Sequence, residues 1–497
     1  MKRYNLLFGG AAGQGPNILG ELLGKALVNY GYYVFYSRDY QSLIRGGHNF
    51  NVLTFSEDPI YSNDSEMDIV VAIDENTENL HKKELKKQGI LLKGQKENMY
   101  YAGALFEILG LPFKVLQDEL WELGKRYEEN LDISKKGFEE ETRSLCKLEK
   151  KKKKGSFING SEGIREGAIR SGLDIYYAYP MTPATPVLKE LAQHQIKKNY
   201  LVLELENEIA VILAAIGGSM TGAKTMVGTS GGGFDLMTES LSLAGMAEVP
   251  LVIYLAQRPG PATGVPTYNS QGDLNAARHS GHGEFARMVL APGDPKECEE
   301  LTNQAFYFSQ TYKIPTIVIS DKHLAESYYT SYGISKMIST KKLVELKKFN
   351  SYESTIEGVS TEDITEIKKR VEARIKKIKD IEKEAKKFKM FEVFGKKSSK
   401  NIIVSWGSTK GAILDSIKTL DTGFLHIMYL DPFSEEIKNL LKDKNILLVE
   451  NSSTAQIGQL IAEKTGIFIE DKNKILRYDG RPFLADELNL EIQKRLK

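Results

Sequence analysis

LVLELENEIAVILAAIGG, residues 201–218, is where the reading of this chain begins. Leu201, Leu203 and Leu205 alternate with Val202, Glu204 and Glu206, the two-residue period of a β-strand. The apolar run at 209–216 then reads as a buried helix, with Asn207 as its cap and Glu208 in its first turn, where the helix dipole favours a carboxylate. A strand feeding directly into a helix is the unit of an α/β fold with a parallel sheet.

Working outward, the same pattern recurs from about 156 to 335. DIYYAYP, AKTMVGTS, PLVIYLAQ and PTIVIS read as strands, each ending in a turn carrying Gly, Pro, Asn or Asp. An earlier α/β pattern fills residues 1 to about 150. There YNLLFGG, YYVFYS, DIVVAID and GILLKG are predicted strands and GPNILGELLGKALVNYG an amphipathic helix, which together imply a parallel sheet covered by helices. Between the two lies KLEKKKKKG, 147–155, a predicted solvated linker; no aromatic residues interleave with its lysines as a nucleic-acid patch would require. After 340 the chain turns Lys/Glu-rich, and TEDITEIKKRVEARIKKIKDIEKEAKKF predicts a long exposed helix that connects and does not pack a core. A third α/β unit occupies about 398–497, with NIIVSWGSTKGAILDSI and NILLVEN.

Composition narrows the function classes. With 497 residues and 41% hydrophobic content the chain can bury the cores of about three domains. Sixty-seven Lys+Arg balance sixty-six Asp+Glu, so no global charge argues for nucleic acid or an anionic membrane. The two cysteines, Cys146 and Cys298, cannot make a CxxC metal motif, a disulfide framework or an iron–sulfur site. No metal ligand set is predicted on this chain. The apolar run near the amino terminus breaks at glycines, and no segment reaches the roughly 20 apolar residues of a membrane span. The expected location is cytoplasmic.

Several turns carry residues suited to chemistry. GGAAGQG, 9–15, sits between a strand and a helix, where Gly13, Gln14 and Gly15 offer backbone N–H groups and a positive helix end to a phosphate; a tight turn without ligand is the plain alternative. Its spacing is not that of a dinucleotide fingerprint. In SLIRGGHNF, Arg45 is a candidate phosphate clamp or a surface ion pair. YAYPMTPAT places Thr182 beyond a strand end, bracketed by Pro180 and Pro183, either as a ligand-facing hydroxyl or as the cap of the next helix. Ser230, Gly231, Gly232 and Gly233 make a strand-to-helix turn whose three glycines allow close approach by a ligand or a neighbouring chain. QRPGPATG, 257–264, delivers Arg258 to another strand end, to meet a small carboxylate or to serve a structural ion pair.

YPMTP, ENEIA and QRPGPATG together read as half of a thiamine diphosphate site. That cofactor needs its aminopyrimidine ring protonated, and a buried Glu208 carboxyl hydrogen-bonded to the ring would relay the proton, its pKa raised by partial burial. The acidic metal-diphosphate loop of such a site is missing, since SQGDLN and RYDGRP do not fit it.

In this order the islands resemble the α subunit of 2-oxoacid:ferredoxin oxidoreductases, in the form with a γ-type domain fused ahead of the α part. GGAAGQG and IRGGHNF resemble the γ-type domain; NGSEGIREGAI, YPMTP, ENEIA, TSGGGFDLMTE and QRPGPATGVPTYNSQGDL the pyrimidine-binding domain; WGSTKGA, LVEN and RYDGRPF the carboxyl-terminal domain. The family's usual glycine-proline-glycine turn is GGG here, and Ala184, Thr185 and Pro186 stand where serines are common.

The resemblance implies an α/β fold of three units: a Rossmann-like γ-type domain over 1–150, a pyrimidine-binding domain over 155–335 and a transketolase C-terminal-like domain over 398–497, with 340–396 as connector. It implies oxidative decarboxylation of a 2-oxoacid with coenzyme A, giving acyl-CoA, carbon dioxide and reduced ferredoxin. Glu208 would activate the cofactor ring, Arg258 bind the substrate carboxylate and Thr182 serve the substrate and CoA site. Tyr179, Pro180, Glu206, Ser230, Gly231 and Gly232 would line the cofactor, and Gly13, Gln14, Gly15 and Arg45 would hold a CoA phosphate. The remaining loop, Mg2+ and a [4Fe-4S] cluster would arrive on a β subunit in an (αβ)2 heterotetramer. 2-Oxoglutarate is the favoured oxoacid, from the fused architecture and the RYDGRPF tail, with pyruvate and branched-chain acids as alternatives. A non-catalytic scaffold that binds CoA or a nucleotide is the reading from another class; a self-contained transketolase-like transferase lacks its metal-diphosphate loop.

Overall fold

The computed structural model describes residues 2–41, 47–153, 155–333, 335–341 and 351–496, arranged as two compact α/β units with three sheets. The first unit comprises Met1–Asn159, Ser327–Ile334 and Phe483–Leu490; the second holds the rest.

Seven strands form the sheet of the first unit, in the order 85–92, 67–72, 3–11, 48–56, 33–40, 328–331, 156–159. This sheet is mixed where the sequence predicts a parallel one. Arg3–Ala11 runs parallel to Met67–Ala72 but antiparallel to His48–Ser56, which in turn is antiparallel to Tyr33–Tyr40. The prediction missed His48–Ser56 because its first half, HNFN, is polar; its second half is buried against the core. The expected helix appears as Pro16–Asn29, burying Leu19, Leu23 and Leu27. Over 147–153 most of the lysines are exposed, while Leu148 is buried in the core and Lys151 N–H donates to Tyr30 O at 2.8 Å.

In the second unit the main sheet runs 201–204, 175–178, 225–229, 251–257, 315–321, 288–290, 429–431. Every pair is parallel except the last. Hydrophobic burial on both faces of strands such as LVIYLAQ, all seven residues buried, is what a central parallel strand requires. The five-stranded sheet, 391–395, 423–427, 401–406, 445–450, 474–476, shares one continuous apolar core with it, joining Val227, Ile253 and Ile317 to Val404, Leu425 and Leu448. Two helices differ from expectation. Ile364–Ala385 does pack at its C-terminal end, where Ile381 and Ala385 are buried and Glu384 accepts from the Tyr307 hydroxyl. Glu208–Met220 is buried on one face only, leaving Ile209 47% and Leu213 44% exposed.

A buried ion cluster ties the two sheets together. The Lys410 ammonium donates to Glu297 Oε1 at 2.5 Å and to Asp294, and His426 Nε2 lies 2.9 Å from Glu297 Oε2. Burial alone would raise the Glu297 pKa, but Lys410 and then His426 outweigh it and hold the carboxyl well below the usual range. Lys410→Met should therefore cost about 3 kcal/mol, because it leaves the buried Glu297 carboxylate with His426 alone and takes the partly exposed Asp294 carboxylate's ammonium partner away. An unchanged urea unfolding midpoint would show that the cluster carries little weight.

Candidate functional site

The carboxyl ends of the parallel strands bring the central sequence islands to one edge of the sheet, the position where open α/β sheets bind ligands. Tyr179–Pro183 follow the strand Ile175–Ala178, Glu208 follows Leu201–Glu204, Ser230 follows Thr225–Thr229, and Arg258 follows Leu251–Gln257.

Glu208 opens its helix behind the Asn207 cap, whose Oδ1 accepts from Ala210 N–H at 2.9 Å. The residue is only 3% exposed, and its Oε1 is buried without a partner. Facing it is the first turn of the helix Gly231–Met246, where a Cβ on Gly233 would fall 2.5 Å from Glu208 Oε1 and closer still to Thr229 Oγ1. Glycine is required there by close packing. Ser230, at the N-cap of that helix, is fully buried and its Oγ has no partner. A carboxyl oxygen and a hydroxyl thus lie shut off from water without partners, an arrangement costly to leave unmatched and suited to a ligand's polar atoms.

Arg258 is half-buried and donates to the Thr182 carbonyl at 2.6 Å, which ties the 179–183 turn to the end of the next-but-one strand. Among the described residues it is seen in no ion pair. Burial lowers its pKa, opposed by the charges of Asp273 and then Glu208. Thr182 does not cap the following helix, which starts at Thr185 behind Ala184. Tyr179 and Glu206 are exposed at the same edge, as is Pro180.

Asp273, absent from the sequence-predicted set, belongs to this cluster. Its backbone N–H donates to Gln257 Oε1 at 2.9 Å, and its buried Oδ2 has no hydrogen-bond partner and lies 2.6 Å from where a Gly231 Cβ would be. SQGDLN held this residue in plain view, but nothing in local spacing says that 273 folds back onto 231.

In the first unit, Gly13 and Gln14 border a cleft with Asp74, Lys96, Lys125 and Arg126. Gln14 Oε1 accepts from Ala11 N–H at 2.7 Å, Gly13 faces open space, and Gly15 begins the helix Pro16–Asn29 in the left-handed region. The cations come from two segments, Lys96 and the adjacent pair Lys125 and Arg126, and were not foreseen. Arg45 lies outside the described residues.

An α/β enzyme with its ligand site at the carboxyl edge of a parallel sheet is the class that this arrangement points to. The family profile "Pyruvate flavodoxin/ferredoxin oxidoreductase, thiamine diP-bdg" matches residues 166–392, and "Pyruvate ferredoxin/flavodoxin oxidoreductase" matches residues 5–97. The chain is 28% identical over 617 aligned positions to the 2-oxoacid:ferredoxin oxidoreductase subunit alpha of Sulfolobus sp, covering all of this chain and 97% of that one. It is 32% identical to the 2-oxoglutarate synthase subunit KorA of Archaeoglobus fulgidus over 60% of this chain and 88% of the relative. Its fold matches the 2-oxoglutarate:ferredoxin oxidoreductase of Magnetococcus marinus over the full length of both chains, with a TM-score of 0.90 at 23% identity. The chain belongs to the 2-oxoacid:ferredoxin oxidoreductase α-subunit family, a family of oxidoreductases acting on 2-oxoacids.

The residues present fit a thiamine ring, on the evidence of the buried, unpartnered Glu208 Oε1 and Ser230 Oγ at the strand ends. Gly233→Ala should lose roughly tenfold or more of turnover while the far-ultraviolet circular dichroism keeps the α/β signature, since the added methyl must push both Thr229 Oγ1 and the Glu208 carboxyl aside at some cost in stability. Full activity would mean that the carboxyl tolerates displacement.

Proposed function

We propose that this chain is the α subunit of a CoA-dependent 2-oxoacid:ferredoxin oxidoreductase with 2-oxoglutarate as substrate. The oxoacid loses carbon dioxide, its acyl carbon passes to the CoA sulfur as a thioester, and two electrons leave to two ferredoxins. Thiamine diphosphate, when bound, supplies the electron sink for decarboxylation. Glu208 holds and moves the proton at the aminopyrimidine ring; Arg258, steadied by the Thr182 carbonyl, binds the substrate carboxylate with its remaining N–H donors. Tyr179, Pro180, Glu206, Ser230, Gly231 and Gly232 line the cofactor.

The carrying observation is the buried, unpartnered Glu208 oxygen against the Gly231–Gly233 turn, within the field of Arg258. Choice of 2-oxoglutarate is supported by the RYDGRPF tail and by relatives named as 2-oxoglutarate synthase subunits. A β subunit bearing Mg2+, the diphosphate loop and a [4Fe-4S] cluster completes the site in a cytoplasmic (αβ)2 assembly. Exposed Ile209, Leu213 and Leu236, on the two helices that begin at the site, suit a partner's docking there. In the γ-type domain over 1–150, Gly13, Gln14 and Gly15 meet a CoA phosphate, and Lys96, Lys125 and Arg126 on the same cleft supply charge.

Co-expressed with its β chain, the protein should reduce a viologen dye with 2-oxoglutarate and CoA faster than with pyruvate or a branched-chain oxoacid. Glu208→Gln should lose most turnover; undiminished activity would remove Glu208 from the mechanism. Arg258→Ala should raise the oxoacid KM roughly tenfold or more, as loss of a charged hydrogen bond implies, whereas an unchanged KM would deny Arg258 the carboxylate.

A further inference from the structure

The strap Pro259–Gly272 leaves the main sheet at Arg258 and returns at Asp273. From Gly260 to Val265 it is exposed, and it closes on itself where Val265 N–H donates to Pro259 O at 3.1 Å. Its returning end is anchored. Asn269 N–H donates to Gly480 O at 2.9 Å, and Asn269 Oδ1 accepts from His323 N–H at 3.1 Å. Gln271 is fully buried and seats its side-chain amide between the ends of two adjacent strands of the C-terminal sheet, Asn401–Trp406 and Asn445–Glu450. Its Nε2 donates to Trp406 O at 2.7 Å, its Oε1 accepts from Asn451 N–H at 2.8 Å, and its own N–H donates to Asn451 O at 2.7 Å. The amide thus continues the sheet ladder as one more peptide unit would. A Cβ on Gly407, which lies in the left-handed region, would fall 2.8 Å from Gln271 Nε2, so glycine there leaves room for this amide. Two residues on, Asp273 N–H donates to Gln257 Oε1 at 2.9 Å, and Gln257 Nε2 donates to Ser320 O at 3.1 Å. Gln257 immediately precedes Arg258.

We infer that Gln271 is a positioning residue for the substrate clamp: seated in the C-terminal sheet, it fixes the root of the strap and, through Gln257, the backbone from which Arg258 reaches the oxoacid. This rests on the reading of Arg258 as carboxylate clamp. Every link of the path is a covalent bond or a short hydrogen bond, from Trp406 and Asn451 through Gln271 to Asp273 N–H, and from there through Gln257 to Arg258. A guanidinium binds a carboxylate tightly when its backbone is already held in place, because the cost of ordering it has been met before the ligand arrives. Removing the Gln271 amide leaves Trp406 O and Asn451 N–H buried without this partner and frees the strap's root from the sheet. The path ends on Arg258, so oxoacid affinity falls while kcat follows other groups.

The test uses the assembled complex, with 2-oxoglutarate as substrate and N-oxalylglycine as a carboxylate probe that resists decarboxylation. Gln271→Met removes both side-chain bonds at similar volume. It should raise the oxoacid KM and the N-oxalylglycine dissociation constant, measured by calorimetry, roughly three- to tenfold, with kcat kept within about twofold. Gln271→Glu keeps the acceptor for Asn451 N–H but turns an oxygen without a proton on Trp406 O. Its KM should be raised at about pH 7.5 and return toward the wild-type value at about pH 5.5, where the buried carboxyl takes up a proton and donates to Trp406 O again. Arg258→Ala is run in parallel. If Arg258→Ala weakens binding while Gln271→Met leaves KM and probe affinity unchanged, or lowers kcat as much as it raises KM, the inference on Gln271 is wrong and the clamp stands. If Arg258→Ala changes nothing, the clamp reading fails and this inference falls with it. Should Gln271→Met not assemble, Gln271→Glu decides: a KM equal to wild type at both pH values, or raised equally at both, overturns the inference.

Discussion

The structure of the second unit hangs on an ammonium group taken out of water between two carboxylates. Lys410, 6% exposed, meets Asp294 and Glu297 at the start of the helix Pro295–Tyr312, while His426 from the neighbouring strand closes on Glu297. Desolvating these groups is costly, and the mutual attraction repays it only while all partners are in place. Asp294 also caps that helix, accepting from Glu297 N–H at 2.9 Å, so the same carboxylate orders the helix and the ion cluster. The C-terminal sheet is thereby docked in one register on the main sheet. From that docking follow the contacts of Trp406 and Asn451 with Gln271, and hence the place of Asp273. Chemistry at one sheet edge depends on charges buried behind it.

At that edge the electrostatics are compact. The Arg258 guanidinium feels the charges of Asp273 and Glu208, and both carboxylates lie against the first turn of the helix Gly231–Met246. Glycines at 231 and 233 let both carboxylates press against the helix backbone, which brings charge nearer to the helix end than any side chain at those positions would allow. The three-glycine turn therefore serves packing as much as it serves a ligand.

The first unit shows how an α/β pattern can mislead about sheet direction. Strand, turn and helix follow one another at its start, yet the chain then doubles back through Tyr33–Tyr40 and His48–Ser56 as an antiparallel pair. Polarity at His48 and Asn49 hides the strand, because both lie where the ladder ends beside Ala11 and Gly10 and are only partly buried. The helix Glu208–Met220 is the converse case. Its apolar run reads as fully buried, and the exposed Ile209 and Leu213 mark a face that the described residues do not cover.

By itself the sequence determined the strand-to-helix order of the second unit and the islands at its strand ends, because two-residue and 3.6-residue periods and Gly/Pro punctuation are local properties of the chain. Glu208, Arg258, Thr182 and the Ser230–Gly233 turn were legible for that reason. Tertiary structure alone decided that Asp273 lies against Gly231, that Arg258 bonds to Thr182 O across 76 residues, that Lys96, Lys125 and Arg126 share a cleft with Gly13, and that Lys410 pairs with Glu297. Those partners are far apart along the chain, and no periodicity encodes a contact between residues that meet only after two sheets have packed.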